Sequence, residues 1–237
     1  MKKSYFSLLI AAGVLLTACN GAKVDQTDPE AIKTEAIKEA DEAVTLEASP
    51  ELGTLPALCA RMEAARDSVR ALTQNPKLEE KRRSDDEKAR EQIQKIASAG
   101  STAREEITNY YTNLMQEELN KLAGKEIPLQ FDTTEFSSGK AVLTDELSQN
   151  DVYVEYEMVL AKTISMFEDK GIELQYLDKE GNVIKTIYTS HKIWPDTYSE
   201  DGTNIIKAIP GAIWKSTLSL YIPNAAEMTS IKISIKK

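Results

Sequence analysis

The hydrophobic period of this chain changes once, near residue 125, and that change limits what it can fold into. Before it, apolar residues recur at three- and four-residue steps, the spacing of one helix face. After it, they recur at every second residue, the spacing of a strand with one buried face. The expected fold class is therefore α+β: an N-terminal helical hairpin or small bundle, then an antiparallel β-sandwich.

In the first half, Asp28-Pro29 reads as an N-cap followed by proline at the first helical position. The repeat Glu30-Ala31-Ile32-Lys33 and Glu35-Ala36-Ile37-Lys38 favours helix to about Leu46. A break is expected from Ser49-Pro50 to Leu55-Pro56. Leu58, Met62, Ala65, Val69 and Leu72 then form one apolar seam, closed by Asn75-Pro76. The run Lys77 to Arg90 mixes both charge signs and reads as a loop and solvated helix start, with Ser84 and Glu87 as a capping box. Ile93, Ile96, Gly100, Ala103, Ile107, Tyr110 and Leu114 mark a long coiled-coil-like seam on a helix of about 40 residues, roughly 60 Å. Gly100-Ser101-Thr102 could interrupt it, and Gly124 ends it.

In the second half, Val152, Val154, Tyr156, Met158 and Leu160 alternate with polar residues, as do Ile172, Leu174 and Tyr176. Asp178-Lys179-Glu180-Gly181-Asn182 reads as a hairpin loop returning through Val183 to Tyr188. Trp214, Leu218, Leu220 and Ile222 make another inward row, and Ile231, Ile233 and Ile235 a last strand. With shorter strands near Leu129–Phe131 and Lys140–Leu143, six to eight strands are expected. Their spacing and the 178–182 hairpin resemble the immunoglobulin-like modules of bacterial envelope lipoproteins; that resemblance implies a fold and brings no site residues.

The N-terminus carries a second, independent signal. Lys2 and Lys3 precede an apolar run from Tyr5 to Leu16. That run is shorter than the roughly 20 residues a bilayer-spanning helix needs, and it has the length of a signal-peptide core. Leu16-Thr17-Ala18-Cys19 resembles the lipobox of bacterial lipoproteins. The resemblance implies cleavage before Cys19, a diacylglycerol thioether on its sulfur, and an acyl chain such as palmitate on the new amine. Two or more chains hold a protein stably at a membrane, at about 0.8 kcal/mol per buried methylene. Asn20, where inner-membrane retention signals carry Asp, points by analogy to the outer membrane. The expected organisation is a signal peptide (1–18), a lipidated flexible tether (19–28), a helical region (29–125) and a β-sandwich domain (126–237). The boundary at 125 is also chemical: every arginine lies between Arg61 and Arg104, and beyond residue 126 the basic residues are lysines and His191.

A formal net charge of −9 argues against nucleic acid as a partner, which calls for a basic face, and against an electrostatic grip on anionic headgroups. The membrane contact is then expected through the N-terminal acyl chains. With Cys19 consumed, Cys59 has no partner in the chain and reads as a small hydrophobe on a helix, with a reactive or intermolecular thiol as the alternative.

The chain offers no converging catalytic set. His191 is the sole histidine, beside Ser190 and Asp196 but without a nucleophile elbow. No carboxylate pair stands out, no phosphate-binding loop exists, and neither a metal nor a cofactor is expected. Asp178 to Asn182 suggests a turn ahead of calcium. Trp194 and Tyr198 lie on a loop between strands and are the candidate ligand-binding residues, able to stack on a sugar ring or anchor a partner; plugging the sandwich end is the alternative. The expected function is a non-catalytic, lipid-anchored cell-envelope module binding an unidentified protein or glycan. The alternative is an envelope structural or assembly component, a homo-oligomer self-associating through the helical seam.

Overall fold

The computed structural model describes residues 24–83, 86–165, 171–189 and 207–236. The described residues form a mixed α+β fold in which four α-helices precede two four-stranded, antiparallel-rich sheets. Cys19, Ser84, His191, Trp194 and Tyr198 lie outside the described residues.

Helix α1 spans Pro29–Ala43, with the Asp28 carboxylate accepting the Glu30 N–H at 3.0 Å. It stops three residues short of Leu46 because Val44 turns extended; the Arg61 Nε–H donates to the freed Val44 carbonyl at 2.9 Å. Helix α2 spans Leu55–Thr73 and buries Leu58, Met62, Ala65 and Val69 as the seam predicts, leaving Leu72 half-buried. The charged run beyond it is helical, not a loop, over Lys77 to Arg83. Asn75-Pro76 starts a helix as well as stopping one: α3, Pro76–Arg83, opens with the Asn75 side chain accepting the Leu78 N–H at 3.2 Å.

Helix α4 spans Glu87–Leu122 and runs unbroken through Gly100-Ser101-Thr102. Its cap is Asp86, which accepts the Ala89 N–H at 3.1 Å; Glu87 is thus the first helical residue, not the third of a capping box. Gly100 sits where α2 presses closest: a Cβ there would lie 2.8 Å from the Thr73 methyl. The seam follows its expected course through Ile96, Gly100, Ala103 and Ile107. It then continues through Tyr111, Met115 and Leu119, leaving Leu114 half-buried and Tyr110 44 % exposed. Each four-residue step carries the buried line about 40° around the helix. That rotation follows the partners, since the C-terminal turns of α4 must face β3 (Phe136–Ser148) as well as α1 and α2.

The remaining strands are β1 (Glu126–Ile127), β2 (Leu129–Phe131), β4 (Asp151–Leu160), β5 (Ile164–Ser165), β6 (Gly171–Leu177), β7 (Val183–Thr189), β8 (Lys207–Ala208), β9 (Ile213–Tyr221) and β10 (Ser230–Lys236). The first sheet has the order β1-β3-β4-β9 and the second β2-β10-β6-β7, with β5 and β8 as a separate pair. The chain crosses between sheets at Pro128, which has no N–H to lose from a ladder. One pairing departs from the antiparallel expectation: β2 runs parallel to β10, Leu129 opposite Ile231. Short-range alternation reports burial, not direction, so no local signal distinguishes the two.

The inward rows agree with the alternation. Val152, Val154, Tyr156, Met158, Leu160, Ile172, Leu174, Tyr176, Ile231 and Ile233 are all buried. They belong to one apolar cluster with Ile107, Tyr111, Met115 and Leu119 of α4, so the core crosses residue 125 without a gap. Backbone bonds stitch the same place. Gly124, at φ +86°, donates to the Leu143 carbonyl at 2.8 Å, and Leu143 donates to the Lys125 carbonyl at 3.0 Å.

Gly139 lets the two sheets approach. A Cβ there would stand 2.7 Å from the Glu157 carbonyl oxygen and 3.1 Å from Phe131 of the other sheet. Backbone cannot swing aside as a side chain can, so Gly139→Ala should destabilise the fold by about 1–3 kcal/mol in chemical denaturation. An unchanged midpoint would contradict the close approach.

Candidate functional site

Trp194 and Tyr198 lie outside the described residues, and the candidate surfaces are those the described residues build. The 178–182 segment is a turn whose carboxylate is already used. Asp178 accepts the N–H groups of Glu180 at 2.9 Å and Asn182 at 2.8 Å, and the Asn182 side chain at 3.0 Å. The Asn182 contacts lead in holding its pKa below the usual carboxylate value. Gly181, at φ +81°, supplies the left-handed residue this turn requires.

Cys59 is completely buried in α2. Burial, helped by the nearby negative charges of Glu63 and Asp151, pushes its thiol up to about 12. That environment suits a packing residue and not a nucleophile, which needs a thiolate.

Both sheets carry charge on their strands, Lys140, Glu157 and Lys215 in the first and Glu173 with Lys236 in the second. Register places Glu173 of β6 between Tyr188 of β7 and Ser234 of β10. Glu173 is only 3 % exposed although it sits on the outer face, because its neighbours' side chains close over it. Oε1 accepts from Gln175 Nε2 at 2.8 Å and from Ser234 Oγ at 3.4 Å. Oε2 lies 2.5 Å from Lys236 Nζ, as an ion pair without a well-directed hydrogen bond. The same ammonium reaches Tyr188 Oη at 3.3 Å and stands 4.9 Å from that ring's centroid. The lysine contact dominates in holding the Glu173 pKa down, and Glu173 in turn raises that of Lys236. The result is a polar face in which Tyr188, 61 % exposed, has its hydroxyl tied and its ring open to solvent. A tyrosine so held can stack on a flat apolar partner while Gln175, Ser234 and Lys236 answer hydroxyls or carbonyls. Sequence alone does not single out Glu173, since an acid alternating along a strand reads as solvated; only the pairing register closes the cluster.

Two open concavities lie at the other end of the molecule, around the start of α4. One, of about 610 Å³, is lined by Arg82, Arg83, Arg90, Ile93 and Gln94. The other, of about 450 Å³, is lined by Val24 to Thr27 with Leu72, Asn75, Gln92 and Ile96. In the last of the expected tether, Val24 and Gln26 are therefore held against the helices while Asp25, Thr27 and Asp28 stay exposed: Gln26 Nε2 donates to the Leu72 carbonyl at 2.7 Å, at the C-terminal end of α2. Among the described residues, no group of three or more potential metal-ligating side chains comes together, and no helix is long and apolar enough to cross a membrane.

No protein-family model, curated protein sequence or solved structure matches this chain.

Two outcomes follow. A maleimide should leave Cys59 unmodified in the folded protein and react with it once the chain is denatured; rapid native labelling would contradict its burial. Glu173 titrates below its unfolded value, so its pairing stabilises the fold above the unfolded carboxylate pKa and is lost as pH falls through the lower folded one. The stability difference between the wild type and Glu173→Gln should therefore be present at pH 7 and shrink towards pH 3. A difference independent of pH would show that packing, not charge, is responsible.

Proposed function

We propose that this chain is a lipid-anchored cell-envelope protein, non-catalytic, whose β half binds a protein or glycan. The Leu16-Thr17-Ala18-Cys19 motif behind a short apolar run supports the anchor, with Asn20 favouring the outer membrane. The observation that carries the binding role is the outward face of the second sheet. There Glu173, Gln175, Ser234 and Lys236 form a rigid polar surround for the exposed ring of Tyr188. On this reading the two sheets stack as a sandwich. The switch of the chain between two four-stranded sheets at Pro128 supports that stacking, and the strand spacing supports kinship with immunoglobulin-like modules. The β3–β4 hairpin, which stays within one sheet, departs from their strand order. Trp194 and Tyr198, a few residues beyond Tyr188 in the chain, are proposed as further contacts.

The test is capture from native envelopes. The wild type should retain a protein or glycan that Tyr188→Ala loses at least tenfold, while both keep the same denaturation midpoint. Equal capture by both proteins would contradict the Tyr188 surface, and an unacylated residue 19 in intact-mass analysis would contradict the anchor.

A further inference from the structure

The charges and hydrogen-bond donors on the outward face of the second sheet are already committed to one another, and that restricts what the face can bind. Register brings Lys232, Ser234 and Lys236 of β10, Glu173 and Gln175 of β6, and Tyr188 of β7 to this side. Each charge among them has a counter-ion. Lys236 Nζ lies 2.5 Å from Glu173 Oε2, and Lys232 Nζ lies 2.8 Å from Asp132 Oδ2. The group therefore holds two matched pairs and no net charge.

Ionic partners of either sign are disfavoured for specific reasons. An anion drawn to Lys236 would pull it from Glu173, which is 3 % exposed and would be left buried without its counter-ion. A cation is ordinarily attracted to the face of an aromatic ring. Here the Lys236 ammonium already stands 4.9 Å from the Tyr188 centroid and 3.3 Å from its hydroxyl. A lysine or arginine laid on that ring would meet the ammonium well inside the screening length of about 8 Å at physiological salt. The exposed ring is left to stacking that needs no charge, against apolar C–H groups.

Hydrogen-bonding capacity is one-sided as well. The single hydroxyl hydrogen of Ser234 goes to Glu173 Oε1 at 3.4 Å, and Gln175 Nε2 donates to the same oxygen at 2.8 Å. What those bonds leave is chiefly acceptor capacity, on the Ser234 hydroxyl oxygen and on Gln175 Oε1. A fitting ligand therefore brings donors beside a flat apolar surface. A pyranose ring has both: a face of C–H groups and a rim of hydroxyls, each able to donate.

We infer that the ligand of this face is an uncharged glycan, with one pyranose ring lying on Tyr188 and its rim hydroxyls donating to Ser234 and Gln175. Glu173 is then a positioning residue: it holds Lys236, Gln175 and Ser234 in place from beneath and touches no ligand. This rests on the Tyr188 surface proposed above and names the ligand class that surface takes.

The test applies the full-length protein, purified from membranes, to an array of neutral gluco-, galacto- and manno-oligosaccharides, sialylated and sulfated oligosaccharides, and acidic and basic peptides. Binding to a neutral oligosaccharide is expected. It should be unchanged from about 0.1 to about 1 M sodium chloride, over which the screening length falls from about 10 to about 3 Å. Tyr188→Ala should lose it at least tenfold, Ser234→Ala should weaken it several-fold, and Tyr188→Phe, which keeps the ring, should retain it. Salt-sensitive binding to charged members of the array, lost in Tyr188→Ala, would overturn the uncharged glycan and leave the Tyr188 surface standing. So would Tyr188-dependent capture of a protein from envelopes with every oligosaccharide silent. Binding that Tyr188→Ala leaves unchanged, or silence in both the array and the envelope capture, would overturn the surface and this inference together.

Discussion

The structure depends on the buried line along α4. Ile107, Tyr111, Met115 and Leu119 are essentially inaccessible, and they touch the helical and sheet halves through one core. Truncating a residue of that kind removes about 2–5 kcal/mol. Exposed ion pairs such as Lys38–Glu35 or Arg70–Asp67 contribute about 0–1 kcal/mol each. Packing along α4 therefore outweighs the abundant surface charge in holding helices and sheets together. Polar contacts refine the joint, where Gln116 donates to the Asp145 carbonyl at 2.9 Å and Asn150 to Glu63 at 3.1 Å, while within the helical half Arg61 bridges Asp41 at 2.8 Å and the Val44 carbonyl and fixes the end of α1 on α2.

Much of this was legible in the sequence where local pattern and partner agree. The α2 seam is one case, because a single face meets a single set of neighbours from Leu58 to Val69. The alternation in β4, β6 and β10 is another, because each strand has one buried side. What escaped was set by partners distant in sequence. The α4 line leaves Tyr110 for Tyr111 because β3 joins its neighbours, which no window of α4 residues contains. The parallel β2–β10 pair and the burial of Glu173 come from register across roughly 100 and 60 residues of chain. Helix α3 differs from the expected loop for another reason: its lysines, glutamates and arginines lack an apolar stripe, yet they favour helix once Asn75 caps it.

The candidate surfaces divide in the same way. Cys59 was readable as a packing residue because it falls on the apolar face of α2. The Glu173–Lys236–Tyr188 cluster was not, because its members come from three strands. The start of α4 gathers Arg82, Arg83 and Arg90 among acids such as Glu79, Asp86 and Glu91, and the outward face of the second sheet is polar around the exposed Tyr188. The long helix α4 keeps those regions apart.

The central claim is that helices and sheets share one core through α4. Its most direct test is chemical denaturation of Trp194→Phe, followed by far-ultraviolet circular dichroism for the helices and by emission of Trp214, buried in β9, for the sheets. One core predicts superimposable transitions with the same midpoint and slope. Helix signal lost in a separate transition, with Trp214 still buried, would contradict it.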